Sequence, residues 1–299
     1  MAYSADIKKI GRHFLPQDFK IITWETLEPY FKNLTERNIS TKEGLEQWLK
    51  DQSELEAVID EDASWRQINM TRDTENKELQ ESFNYFHLQI QPHIEPYIDA
   101  LNKKLLSNPL LKGFDTEKYN TYIRNIRKDR ELFREQNIPL QAEISVLQQE
   151  FGQITGAMTA SVNGQEYTLQ QAAKFLENED RTLREEVYMK VQERRLQDKD
   201  KLDELFNKLI ALRDQEAQNA GFDNFRDYQF KELGRFDYTK EDCFKFHEAV
   251  KQHVLPLVKE IYLKKKEKLG VDSLRPWDLE AEPEGVEALK PFDTGEELL

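Results

Sequence analysis

Apolar residues recur at steps of three or four through most of the chain, which predicts a mainly helical protein. Thr23 stands where a helix burying Leu27, Phe31 and Leu34 should start. Ser40 and Glu43 have capping-box spacing for a second helix, with Leu45, Trp48, Leu49, Val58 and Ile59 on its apolar side. Its other side carries Glu43, Glu46, Asp51, Glu54, Glu56, Asp60, Glu61 and Asp62 and reads as a solvated acidic face. From Asp73 to Ser107 the stripe runs Leu79, Phe83, Phe86, Ile90, Ile94, Tyr97, Leu101 and Leu105. Pro92 and Pro96 interrupt it and predict a kink or break near Gln91, because proline removes a donor and crowds the preceding turn. Further helical stripes hold Tyr119, Tyr122, Ile123 and Ile126, then Leu140, Ile144, Leu147, Phe151, Ile154 and Met158.

The period changes at 159–168. There Asn163-Gly164 sits between two short alternating runs and predicts a β-hairpin with a type I′ turn. Thr168 then opens a short helix, and Asp180 opens one expected to reach Asn219 through a charged middle at Glu193 to Lys201. In the stretch from Ala220 to Leu279, Asn224 caps a short aromatic helix and Gly234 ends it. Thr239 with Asp242 caps a long helix that Gly270 closes, and Arg275-Pro276-Trp277 is expected to be extended.

The 299 residues carry a net charge of -14, which disfavours nucleic acid or an anionic membrane as a partner. Aromatic residues at 11% argue against disorder. The one cysteine, Cys243, allows no internal disulfide and shares an apolar stripe with Phe246, Val250 and Val254, so a buried small side chain is expected there. No signal peptide or spanning run is visible, and a cytoplasmic protein is expected.

The words SELEAVIDEDASWRQINMTRDTEN, LQQEFGQITGAM, LQDKDKLDELFNKLIALRDQ, NAGFDNFRDYQFKELGRFDYTKEDCF and LRPWDL, in that order, resemble the oligoendopeptidase F family of thimet-type zinc metallopeptidases. The resemblance implies long helices forming one lobe of a two-lobed channel peptidase that hydrolyses short unfolded peptides. It also implies catalysis by an H-E-x-x-H helix, whose glutamate acts as general base on a zinc-bound water. That motif is absent from these residues. The chain is therefore expected to be the N-terminal portion of such an enzyme, ending before the H-E-x-x-H helix and inactive alone. Its partners would be short peptides and a C-terminal catalytic half. Residues 1–178 would form the N-terminal helical lobe with the hairpin, and 179–299 the start of the catalytic lobe. Zinc would belong to the complete protein, with no metal or catalytic residue here.

Histidine spacing agrees with that assignment. Two zinc-binding histidines of one helix lie four residues apart, roughly 40° around the axis. His247 and His253, like His87 and His93, are six apart, roughly 240° around, and His13 is alone. The candidate substrate-binding residues are Arg235, Phe236, Asp237 and Tyr238, in the loop after Gly234. Arg235 offers a fork for a carboxylate or carbonyl, and Tyr238 a hydroxyl. The same residues could instead lock the turn, with Phe236 in the core. Arg275, Trp277 and Asp278 read as a joint between lobes. Two other functions stay open: a non-catalytic α-helical peptide- or protein-binding module, and an RNA-binding module using the basic cluster Lys264, Lys265, Lys266 and Lys268.

Overall fold

The computed structural model describes residues 11–113, 116–283, 285–286, 291–292 and 294–297. It is mainly helical, with one two-stranded antiparallel hairpin, and divides into two compact units. The first holds residues 1–153 and 204–236, the second 154–203 and 237–299. The expected division at 178/179 follows the chain, whereas the compact units interleave.

In the first unit, α1 (Trp24–Glu36) and α2 (Lys42–Arg72) are followed by α3 (Lys77–Tyr85), α4 (Gln91–Ser107) and α5 (Thr116–Leu132). The core gathers Leu27, Phe31 and Leu34 of α1, Leu45, Trp48 and Leu55 of α2, and Leu101 and Leu105 of α4. The C-terminus of α1 is finished from α4. The Lys104 ammonium donates to the carbonyls of Leu34, Thr35 and Arg37 at 2.8, 2.7 and 2.6 Å. A cation at the negative end of a helix is the favourable pairing, and these are among the carbonyls a helix leaves unpaired. The break expected near Gln91 falls there. It is built as a widened π-type turn, Phe86–Ile90, which lets Pro92 begin α4 where its missing N–H costs little.

Two expectations for α2 are corrected. Its cap is Thr41, whose hydroxyl accepts from the Gly44 N–H at 3.0 Å, not Ser40 with Glu43. The acidic face is not simply solvated. Asp51 is buried against Arg37 and Gln47 at 2.5 and 2.7 Å. Glu54 accepts the backbone N–H groups of His13, Phe14 and Leu15 at 2.8, 3.0 and 2.7 Å, so it fastens the lead-in strand of chain to the helix. Burial would raise its pKa, but those three donors outweigh burial and lower it.

The first unit also takes residues 138–153 of α6 (Ile138–Gly156), most of α9 (Lys199–Asn219) and α10 (Phe225–Glu232). Asn224 caps α10 as expected, accepting from the Asp227 N–H at 3.0 Å. Asn224→Ala should lower unfolding stability by about 1 kcal/mol, measured by urea titration.

In the second unit, β1 (Thr159–Val162) pairs with β2 (Gln165–Thr168) in the register Thr159 to Thr168 and Val162 to Gln165. Asn163 and Gly164 have φ of 53° and 79°, the left-handed pair the turn requires. Met158, Ala160 and Val162 pack with Leu169 and Ala172 of α7 (Leu169–Ala173) and with Val187 and Val191 of α8 (Arg181–Gln197). This packing seats the hairpin on α7 and α8.

The expected helix from Asp180 to Asn219 is two helices, α8 and α9, parted at Asp198. Its carboxylate accepts from Arg194 at 2.5 Å and Lys201 at 3.1 Å, so the charged middle bonds to itself. The helix from Thr239 is likewise divided, into α11 (Lys240–Ala249) and α12 (Leu255–Lys268), by a π-type turn at Val250–Val254 ahead of Pro256. Thr239 and Asp242 form the expected capping box. Arg275 is extended, but Pro276–Asp278 closes into a 3-10 turn. No helix among the described residues is long and apolar enough to cross a membrane.

Candidate functional site

The Gly234 loop is shaped by its backbone. α10 ends in a Schellman arrangement: the Arg235 N–H meets the Phe230 carbonyl at 3.4 Å and the Gly234 N–H the Lys231 carbonyl at 2.9 Å. This requires Gly234 at φ 64°, and a Cβ there would lie 3.3 Å from the Phe236 ring. Gly234→Ala should therefore cost about 1–2 kcal/mol in unfolding stability, read by urea titration.

Among the four predicted site residues, Arg235 is exposed and lies over the Phe230 ring at 5.2 Å. Phe236 is half-buried, with the Arg124 guanidinium 4.3 Å from its ring centre. Asp237 and Tyr238 are exposed and belong to the second unit, while Arg235 and Phe236 belong to the first. The turn is thus locked by glycine and backbone hydrogen bonds, with Arg235 packed over the Phe230 ring.

A buried charge knot lies in the second unit. Asp278 is fully buried and accepts from Arg181 at 3.0 and 2.9 Å, Arg184 at 3.0 Å and the Arg275 N–H at 2.9 Å. Burial would raise its pKa, but the donors from Arg181, Arg275 and Arg184 together hold it at about 2. Arg184, itself buried, also donates to the Trp277, Asn178 and Glu179 carbonyls. The carboxylate's side-chain partners come from α8, not from Arg275. The knot ties the 3-10 turn to α8, and the motif is structural.

Beyond the knot, α11 and α12 contain no buried residue. Phe244, Phe246, Leu255, Leu257, Ile261 and Leu263 are each more than half exposed. Cys243 is half-buried and not the core residue expected, because this helix has no core beneath it. Exposed aromatic and aliphatic side chains spread over about five helical turns are unusual on a finished surface.

Sequence spacing missed one cluster. Glu95 of α4, Asp129 of α5 and Tyr228 and Glu232 of α10 line one cavity of about 200 Å³ in the first unit. Burial raises the pKa of Glu95, with Asp129 adding to it. Burial and then the Glu216 charge raise that of Glu232. Burial and the charges of Glu216 and Glu232 push the Tyr228 hydroxyl up strongly. A carboxyl whose folded pKa is raised binds its proton more tightly in the folded state, so it weakens folding as pH climbs through that raised value. Glu232→Gln should accordingly raise the first unit's melting temperature more at pH 8 than at pH 5.

Among the described residues, no group of three or more His, Cys, Asp or Glu side chains is arranged to hold a metal ion.

A family model for the peptidase M3 N-terminal domain matches residues 14–133, and that for peptidase family M3 matches 174–298. The chain belongs to peptidase family M3. No curated protein sequence matches it. In fold it is similar to a solved structure assigned as an oligoendopeptidase F from Bacillus anthracis str. Ames, with TM-score 0.82 and 19% identity over 91% of this chain and 51% of that one. PZ peptidase A with an inhibitor gives TM-score 0.81 and 21% identity over 87% and 46%. Oligoendopeptidase-F from Enterococcus faecium gives 0.65 and 16% over 87% and 55%. The chain spans about half the length of these relatives.

Proposed function

We propose that the whole protein is a zinc-dependent endopeptidase acting on short, unfolded peptides, and that its zinc-holding residues lie outside these 299. The observation that carries this reading is the bare apolar face of α11 and α12, which lies inside the segment matching peptidase family M3. A catalytic half of the same protein is the partner that face fits. The Gly234 loop supports the reading from another side: Arg235 stays exposed and offers a guanidinium fork to a peptide carboxylate or carbonyl.

The test is the coding sequence beyond codon 299. An in-frame H-E-x-x-H, and chelator-sensitive cleavage of a quenched oligopeptide by the longer product, is expected. A longer product with that motif that cleaves no peptide would overturn the reading, as would a stop codon at that point. Either would favour a non-catalytic binding module. A second expectation concerns the chain alone. Exposed α11 and α12 should drive self-association in sizing experiments, and Phe246→Lys with Leu257→Lys should shift it towards monomer.

A further inference from the structure

We infer that the acid-lined cavity of the first unit binds an organic cation that carries several N–H donors and is the size of one guanidinium or alkylammonium group.

Two separate observations converge on it. The first is a charge imbalance. Asp99 is paired with Arg130 at 2.8 Å, and Asp129 with Lys128 at 2.8 Å. The Lys128 ammonium also donates to the Glu232 backbone carbonyl at 2.8 Å. Arg134 reaches the same cavity, but its guanidinium is spent on the carbonyls of Asn219, Ala220, Glu131 and Phe133. Among the described residues, neither Glu95 nor Glu232 forms an ion pair; Glu95 accepts only the neutral Gln91 amide, at 3.3 Å. Both glutamates are half-buried, and Lys128, although near Glu232, is bonded to Asp129 and to the Glu232 carbonyl. A partly desolvated carboxylate without a paired cation favours a proton or a cation.

The second observation is Asn102. It is 3% exposed, lines this cavity, and its Oδ1 has no hydrogen-bond partner. A buried oxygen acceptor left unpaired costs as much as a lost hydrogen bond. It asks for a donor, the same requirement the two glutamates impose.

Donor geometry selects the class of cation. The acceptors do not converge as metal ligands do. They stand around a space of about 200 Å³, which suits a planar group with N–H bonds directed outward. The cavity shares Glu95, Gln141 and Glu232 with a wider recess of about 680 Å³, where Glu216 and Arg213 also face. Glu216 accepts from the neutral Gln141 and Tyr228 at 2.8 and 3.3 Å and so adds to the negative charge, while Arg213 lies over the Phe225 ring and, among the described residues, forms no ion pair. A ligand's head would fill the cavity and its tail the recess.

Calorimetric titration of the 299-residue chain with N-acetylarginine amide, N-acetylcitrulline amide and putrescine tests this. The citrulline compound has the arginine compound's shape without its charge. The arginine compound is expected to bind at least about tenfold more tightly than the citrulline compound. Glu95→Gln and Glu232→Gln should each weaken it about tenfold, with folding of each variant checked by its melting curve. Tighter binding of putrescine would mark a free amine as the source, and tighter binding of the arginine compound a peptide side chain. Equal binding of the arginine and citrulline compounds, or no binding of either cation at millimolar concentration, would overturn the inference. That comparison uses the unmodified chain, so it stands even if a variant does not fold.

Discussion

Asp278→Ala is expected to destabilise the second unit by about 3–5 kcal/mol, because it leaves the buried Arg184 guanidinium without its anion. Arg181, 43% exposed, loses less, since water replaces its partner. Urea unfolding followed by circular dichroism measures the loss. The double change Asp278→Leu with Arg184→Met should cost less than Asp278→Ala, since it removes both buried charges at once. Acid should reproduce the single change. The folded pKa of Asp278 is about 2, below its ordinary 3.8. Its contribution is therefore full above about pH 4 and is lost as pH falls through 2. A single change costing under about 1 kcal/mol would show that the knot does not hold the turn.

Trp48→Ala is the second large effect, expected at about 3–5 kcal/mol in the first unit. Trp48 is fully buried, and its ring fills the angle between α1 and α2. Its indole N–H donates to the Leu34 carbonyl at 2.9 Å. The Lys104 ammonium lies 5.8 Å from the ring centre and donates to the same carbonyl. Truncation thus opens a cavity and unseats the lysine that closes α1. Trp48→Phe keeps most of the volume and loses the N–H, so about 1 kcal/mol is expected. The contrast in urea midpoints separates packing from hydrogen bonding. Equal costs for the two substitutions would refute the packing account.

Features fixed by a few neighbouring residues were legible in the sequence. Asn224, Gly234, Thr239 with Asp242, and Asn163-Gly164 act on their own backbone, and each does what its spacing predicts. The mainly helical fold and its single hairpin followed from the same local rules. Partnerships across the chain were not legible. Asp51 and Glu54 look like solvated acids until Arg37 and the backbone at His13 to Leu15 are brought against them. The charged stretch around Asp198 reads as continuous helix, because nothing in its composition marks the one-residue break where Asp198 takes φ -101° and ψ 9°. Thr41 displaced Ser40 as a cap by a single residue, within the usual slack of helix ends. The candidate site divides in the same way. The Gly234 loop was found from turn chemistry. Glu95, Asp129 and Glu232 were not, since they are far apart in sequence and lie among 57 acidic residues.

The family assignment rests on long stretches of sequence and on fold, while the zinc chemistry is proposed to rest on residues outside these 299. Zinc analysis of the purified chain, with a quenched-oligopeptide assay run with and without chelator, tests that separation most directly. Substoichiometric zinc and no chelator-sensitive cleavage are predicted. One bound zinc per chain, with cleavage abolished by the chelator, would contradict the account.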